Sequence, residues 1–327
     1  MSIDFGTIKT DYSDASLGLI TQLSQSGDPI AQFELALRYG AGTEVRFDPD
    51  IVRFLLTQSA EAGCADAQFL LYRFLYEGWF DEKNRNGKEA KKWLNKAARQ
   101  GCLEAQRVLG ISYLAGHNDE RDYGEAAVWL GLAAQRGDPA AQFYLSGLYY
   151  FGKGVPQSPD KAIEWLKASA KQNFPPAEAI LGIQYLNGEH LPKDPEESVL
   201  WLSRSAMHGN GRGAFFLAMA YHNGEGVPKD DQKEAELLQQ AAESGHVLAM
   251  MLLGFSYLSG RNVPKDPNVS AKWFRRAAEI GQPIARMILR KRFEYDEESD
   301  TYRLKDNPGR RRPDGPGFED GPPGFKF

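Results

Sequence analysis

Cysteine is nearly absent. Cys64 and Cys102 are the whole complement, so no disulfide framework holds the chain together. No run approaches the roughly 18 consecutive apolar residues of a membrane-spanning helix. The amino terminus, MSIDFGTIKTDYSDASLGLI, lacks the basic-then-apolar layout of an export signal, so the expected location is the cytoplasm. A basic excess is missing as well. Lys and Arg total 39 against 44 Asp and Glu, a formal charge of −5, whereas a nucleic-acid or anionic-membrane binder needs a cationic face that neutralises phosphates. Enzyme signatures are equally scarce: there is no G-x-S-x-G, no Walker-type phosphate loop, and no histidine pair one helical turn apart around a carboxylate. What remains is 327 residues, 42% hydrophobic and 25% charged, with mean hydropathy −0.49. That composition reads as a soluble globular protein with ample apolar mass for a core.

Glycine, by contrast, is in excess: 33 residues, or about 10%, against an average of about 7%. Its placement is periodic. The string GDPIAQFELALRY from Gly27 returns as GCADAQFLLYRFL at Gly63, GCLEAQRVLGISY at Gly101 and GDPAAQFYLSGLY at Gly137, with further copies from Asn173, Gly209, Gly245 and Gly281. The spacing is 36 residues, or 38 in the copy from Gly63. Such self-similarity is the mark of a repeat architecture.

Each unit reads as two helices. In the first, a small residue, a leucine and a tyrosine recur at i, i+4 and i+8, as in Ala105, Leu109 and Tyr113 or Ala177, Leu181 and Tyr185, which makes one apolar stripe. A small residue beside the leucine (Gly110, Ser146, Gly182, Ala218, Gly254) admits a close neighbour. A Gly- and Pro-rich turn follows. The second helix opens on Asp48, Asn86, Asp122, Ser158, Asp194, Asp230 or Asp266, all good N-cap residues. Glu89, Glu125 and Glu197 stand three residues later, the spacing of a capping box. Trp93, Trp129, Trp165, Trp201 and Trp273 share one slot on that helix, and glycine closes it. Neither helix buries its stripe alone, so the units must stack.

The pattern A-x-x-x-L-G-x-x-Y-x-x-G-x-G-V-P-x-D-x-x-x-A-x-x-W-x-x-x-A-A-x-x-G resembles the Sel1-like repeat, a relative of the tetratricopeptide repeat. The copy from Gly63 departs furthest, with Tyr72 in the small-residue slot and Leu75 in place of the tyrosine. The resemblance implies an all-α, α/α superhelical solenoid of about seven and a half helix-turn-helix repeats. It divides the chain into an N-terminal segment with a capping helix (1–26), the solenoid (27–294) and a Gly/Pro-rich tail (295–327) that reads as disordered. It also implies a non-enzymatic scaffold or adaptor that binds a protein or extended peptide. Some bacterial members are immunity proteins that block a secreted toxin or effector, and a few are linked to β-lactam hydrolysis.

Tested on the residues, the enzymatic alternative is thin. Ser158-Pro-Asp-Lys161 matches S-x-x-K, but S-D-N and K-T-G are absent and Ser158 sits in the cap slot. The five histidines, His117, His190, His208, His222 and His246, read as solvent-facing, and neither a metal nor a cofactor is expected. Either cysteine, just after a unit boundary, is reactive only if a helix N-terminus depresses its pKa. The chain is expected to be a monomer.

A solenoid of this kind binds along its concave face, built from first helices. By register that face holds Phe33, Phe69, Arg73, Tyr76, Glu77, Arg107, Phe143, Tyr150, Phe151, Arg212, Phe215 and His222, rich in the aromatic and Arg types that dominate interface hot spots. The phenylalanines share one repeat slot and are equally readable as structural. Pro-Gly-Phe occurs twice in the tail, at 316–318 and 323–325, after the short Arg310–Arg312 run.

Overall fold

The computed structural model describes residues 8, 10–79, 87–116, 121–296 and 301–305. Asn86, His117, the Arg310–Arg312 run and both Pro-Gly-Phe motifs lie outside them. Among the described residues, helices come in pairs. The first helices of successive repeats are α2 (Pro29–Ala41), α4 (Ala65–Glu77), α6 (Leu103–Ala115), α8 (Pro139–Phe151), α10 (Pro175–Asn187), α12 (Gly211–Asn223), α14 (Val247–Ser259) and α16 (Pro283–Arg292). The second helices are α3 (Pro49–Glu61), α5 (Gly87–Arg99), α7 (Tyr123–Gln135), α9 (Pro159–Lys171), α11 (Pro195–Met207), α13 (Asp231–Glu243) and α15 (Pro267–Glu279). A single helix, α1 (Leu17–Gln25), precedes them and packs on α2. The chain divides into two compact units, Met1–His208 and Gly209–Phe327.

The apolar stripe forms the core: Ala105, Leu109, Ala177, Leu181, Ala249 and Leu253 are all buried. Small residues beside the leucines let the two helices of a repeat touch. A Cβ on Gly110 would lie 2.6 Å from Leu130 Cγ, and one on Gly182 would lie 2.7 Å from Leu202 Cγ. The tryptophan slot works between repeats. Trp129 packs on the cluster holding Leu94, Ala97 and Ala98 of α5, and Trp165 on the one holding Ala127 and Leu130 of α7. The second helices of the first unit therefore form a continuous layer.

Buried glutamines stitch the same joints. Gln68 Nε2 donates to the Ala60 carbonyl at 2.9 Å, while its Oε1 accepts from Gln100 at 2.9 Å. Gln142 repeats the arrangement with Ala134 and Gln172. Each pairing satisfies polar groups that burial would otherwise strand.

Asp48, Asp122, Ser158, Asp194, Asp230 and Asp266 cap their helices through the side chain. The capping boxes expected at Glu125 and Glu197 do not close. The backbone N–H of Asp122 donates instead to the Tyr113 carbonyl at 3.2 Å, and that of Asp194 to Tyr185 at 2.9 Å. The same bond recurs from Ser158 to Tyr149 and from Asp266 to Tyr257. It ties the end of the first helix to the start of the second, leaving no cap N–H for a glutamate to satisfy.

The carboxyl side differs from expectation. Residues 295–305 are not wholly irregular, because β1 (Phe293–Asp296) pairs antiparallel with β2 (Thr301–Leu304). Tyr295 and Tyr302 are cross-strand partners with rings 4.9 Å apart, and Phe293 is buried near Phe274. Tyr302 N donates to Asn268 Oδ1 at 3.0 Å. The hairpin packs on α15 and α16, where a further second helix would otherwise go. Four-residue strands carry too little alternation to stand out in a chain read for helical period.

Candidate functional site

The fifth position of the first helix holds Phe33, Phe69, Arg107, Phe143 and Phe215, and the structure assigns it to joining repeats. Each of the last four reaches the N-cap region of the next first helix. Arg107 Nη1 lies 3.1 Å from Oδ2 of Asp138, the cap of α8. Phe143 meets Phe174, at the cap position of α10, with centroids 5.6 Å apart. Phe215 stacks at 4.4 Å on His246, the cap of α14, and Phe69 packs on the cluster holding Cys102, at the cap position of α6. Phe33 and Phe215 are 2% and 4% exposed. These side chains were expected to face a partner, and two of them cannot: a ring spent on covering the next helix start is lost to solvent. Phe69, Arg107 and Phe143 stay half-buried at the same joints.

His222 is likewise engaged, with Nδ1 3.0 Å from Glu234 Oε2. Arg212 is exposed at the start of α12. The remaining candidates lie on two first helices of the first unit, α4 and α8. On α4, Arg73 and Glu77 pair at 3.2 Å, and Tyr76 is 62% exposed beside Tyr72 and Phe69, whose rings follow at 5.7 and 5.8 Å. On α8, Phe151 is 66% exposed, and Tyr150 meets it edge-on at 4.9 Å while its hydroxyl reaches Glu189 at 3.3 Å. Arg73, Ile111 and Gly147 share one register position, and Tyr76, Leu114 and Tyr150 the next turn along. Gly147 is informative. A Cβ there would touch nothing within 4 Å, so the core does not require glycine, yet a helix-interior glycine costs about 1 kcal/mol relative to alanine. The face is apolar, aromatic and locally stripped of side chain, which suits close backbone approach by another chain.

Catalytic alternatives lose their residues to structure. Ser158 Oγ accepts from the Lys161 backbone N–H as a cap, and Lys161 Nζ lies 5.3 Å from the Tyr149 ring centre. Among the described residues, no group of three or more His, Cys, Asp or Glu is placed to hold a metal ion. Burial pushes the Cys102 thiol up to about 12, helped by the neighbouring carboxylates of Asp66 and Glu104, so it is a core residue rather than a nucleophile. The histidines are not idle. His208 Nδ1 lies 2.8 Å from the fully buried Glu178, which also faces Arg204 Nε at 3.4 Å. Glu178 occupies the slot of Gln68 and Gln142, and the departure from that glutamine was its one visible signal. His246 Nδ1 accepts from the Ala249 N–H, and His190 packs edge-on against Tyr150.

Comparison with known proteins agrees with this architecture. The Sel1 repeat model matches seven consecutive segments that together span residues 29–282. The chain belongs to the Sel1 repeat family. Among solved structures, a Sel1 repeat protein from Oxalobacter formigenes is 31% identical, with TM-score 0.66, over 88% of this chain and 83% of that one. A protective antigen of uropathogenic Escherichia coli strains, displaying the same repeat fold, is 30% identical with TM-score 0.69 over 84% of this chain. The chain spans 58% of that antigen's length. An immunity protein from Pseudomonas aeruginosa is 18% identical with TM-score 0.41, a likeness too slight to support any functional argument. No curated protein matches the chain. Sel1 repeat proteins generally serve as protein-interaction scaffolds, and no helix among the described residues is long and apolar enough to cross a membrane.

Proposed function

We propose that this Sel1 repeat protein is a non-enzymatic scaffold that grips a protein or extended peptide on the outward face of α4, α6 and α8. The observation that carries the reading is the bare Gly147 on α8, one helical turn before the exposed Phe151, with the exposed Tyr76 on α4 one turn past the same register position. Aromatic anchors bury large area at small entropic cost, and a bare glycine lets the partner's backbone approach. Arg73 and Glu77, held as a pair, offer a donor and an acceptor at the rim.

The test is capture of a stoichiometric complex from native lysate by the immobilised chain, followed by affinity measurement with the purified partner. Tyr76→Ala and Phe151→Ala are expected to weaken binding by about 2 kcal/mol each, as hot-spot truncations do, with unchanged melting. Full affinity in both variants would overturn the choice of face.

A further inference from the structure

The layer of second helices contains a surface that the scaffold reading does not use. Five register positions on each second helix border the groove toward the next one. On α5 they are Lys91, Lys92, Asn95, Lys96 and Arg99; on α7 they are Ala127, Val128, Gly131, Leu132 and Gln135. Each of α3, α9, α11, α13 and α15 carries at least one charge at these positions, and α7 carries none. Val128 and Leu132 are 57% and 41% exposed. Together with Leu145, Tyr149, Val155 and Trp165 they line a groove of about 270 Å³ between α7 and α9.

Gly131 adds an independent sign. It lies mid-helix, and a Cβ built on it meets nothing within 4 Å. Gly110, by contrast, is required by Leu130. Nothing inside the molecule asks for glycine at 131, although the helix loses stability by having it. A half-exposed glycine between the exposed Val128 and Leu132 lets another helix approach closely. The adjoining face of α5 is cationic. Lys91, Lys92, Lys96 and Arg99 are exposed, and none forms an ion pair among the described residues. Trp129 packs the two helices side by side.

We propose that this face docks one amphipathic helix of a partner protein. Its apolar stripe lies in the α7–α9 groove over Gly131, and its acidic flank reaches the α5 lysines. The charge pattern selects that occupant. Lys96 Nζ already lies 4.1 Å over the Trp93 ring, but a neutral apolar helix would leave Lys91, Lys92 and Arg99 without a counter-charge, and a nucleic acid would leave Val128 and Leu132 without a partner. This surface is separate from Tyr76 and Phe151, so either assignment can fail without the other.

The experiment uses the full chain and two fluorescent helical peptides with the same Leu/Ala stripe at i, i+3, i+4 and i+7. One carries glutamates along one flank, and the other carries lysines there. Fluorescence anisotropy should show the acidic peptide binding at least about tenfold more tightly. Gly131→Ala should melt at a higher temperature than the parent yet bind about tenfold more weakly, a pairing that a merely structural glycine would not give. Lys91→Glu with Lys92→Glu should remove the preference between peptides, and Tyr76→Ala should leave it intact. Equal binding of both peptides, or none of either, overturns the proposal. So does duplex DNA that binds through Lys91 and Lys92 and is indifferent to Leu132→Glu. A dimer in sedimentation that Leu132→Glu dissolves would assign the groove to a second copy of the chain and likewise overturn it.

Discussion

Two glycines in adjacent helices should respond with opposite sign to the same substitution. In an exposed helix interior, Gly→Ala gains about 1 kcal/mol by reducing the backbone freedom lost on folding. At Gly131 nothing opposes that gain, since a Cβ there meets no atom within 4 Å. At Gly110 the new methyl would sit 2.6 Å from Leu130 Cγ, 3.0 Å from Cδ2 and 3.1 Å from the Leu130 backbone N. Carbon atoms in contact prefer about 3.5–4.0 Å, so α6 and α7 must separate by about 1 Å. Rotating Leu130 does not suffice, because its backbone is also in the way and the side chain is fully buried. Overpacking a filled core costs about 1–3 kcal/mol, which set against the helical gain of about 1 kcal/mol leaves Gly110→Ala destabilised by up to about 2 kcal/mol. For a unit of this size each kcal/mol moves the melting temperature by about 2–4 °C. Thermal melting by circular dichroism should therefore drop for Gly110→Ala and rise for Gly131→Ala. Adding Leu130→Ala should cost less in the Gly110→Ala background than alone, since the smaller side chain makes room for the methyl. A rise for Gly110→Ala comparable with that at Gly131 would refute the close-packing account of the small-residue slot.

Burial and Arg212 hold the His246 imidazole below its ordinary value of 6.5. Its contribution is thus present above the unfolded pKa and lost as pH falls through the lowered folded value. Melting of the second unit should fall on acidification from pH 7 to about 5, and His246→Asn, which keeps an N-cap without titrating there, should flatten that dependence. Glu178→Gln restores the donor that Gln142 uses, so urea denaturation should place it within about 1 kcal/mol of the parent. Glu178→Ala should cost about 1–2 kcal/mol more than Glu178→Gln, because it empties a buried polar slot while Arg204 and His208 stay in reach of water, and equal costs for both variants would deny the joint its polar character. Cys102 should resist iodoacetamide at neutral pH until the chain is denatured, because its thiolate is negligible with a pKa pushed to about 12; prompt labelling of the native protein would contradict that burial.

The register of apolar and small residues, the Asp and Ser caps and the tryptophan slot were all legible along the chain. Each is a short-range matter: helical period, a side chain reaching its own backbone, a bulky ring recurring at one offset. Functional legibility was narrower. Register put Arg73, Tyr76, Tyr150 and Phe151 on the expected concave face, and it put Phe33 and Phe215, which are buried, there too. A repeat position is the same in sequence whether its side chain meets solvent or the next unit. His208 and His222 read as solvent-facing for the same reason, since their partners Glu178 and Glu234 lie 30 and 12 residues away.

By itself, then, the sequence determined that this is a stack of helical pairs, where each helix starts and stops, and which residues point inward within a pair. Those outcomes depend on contacts a few residues apart. Only the tertiary structure decided which outward positions are spent on joining repeats, that the cap N–H groups bond to tyrosine carbonyls rather than to glutamates, and that a hairpin closes over α15 and α16. It also separated the glycines that packing demands from Gly131 and Gly147, which packing does not. The physical reason is that these depend on what stands within 4 Å across a joint between elements, and spacing along the chain does not encode that distance.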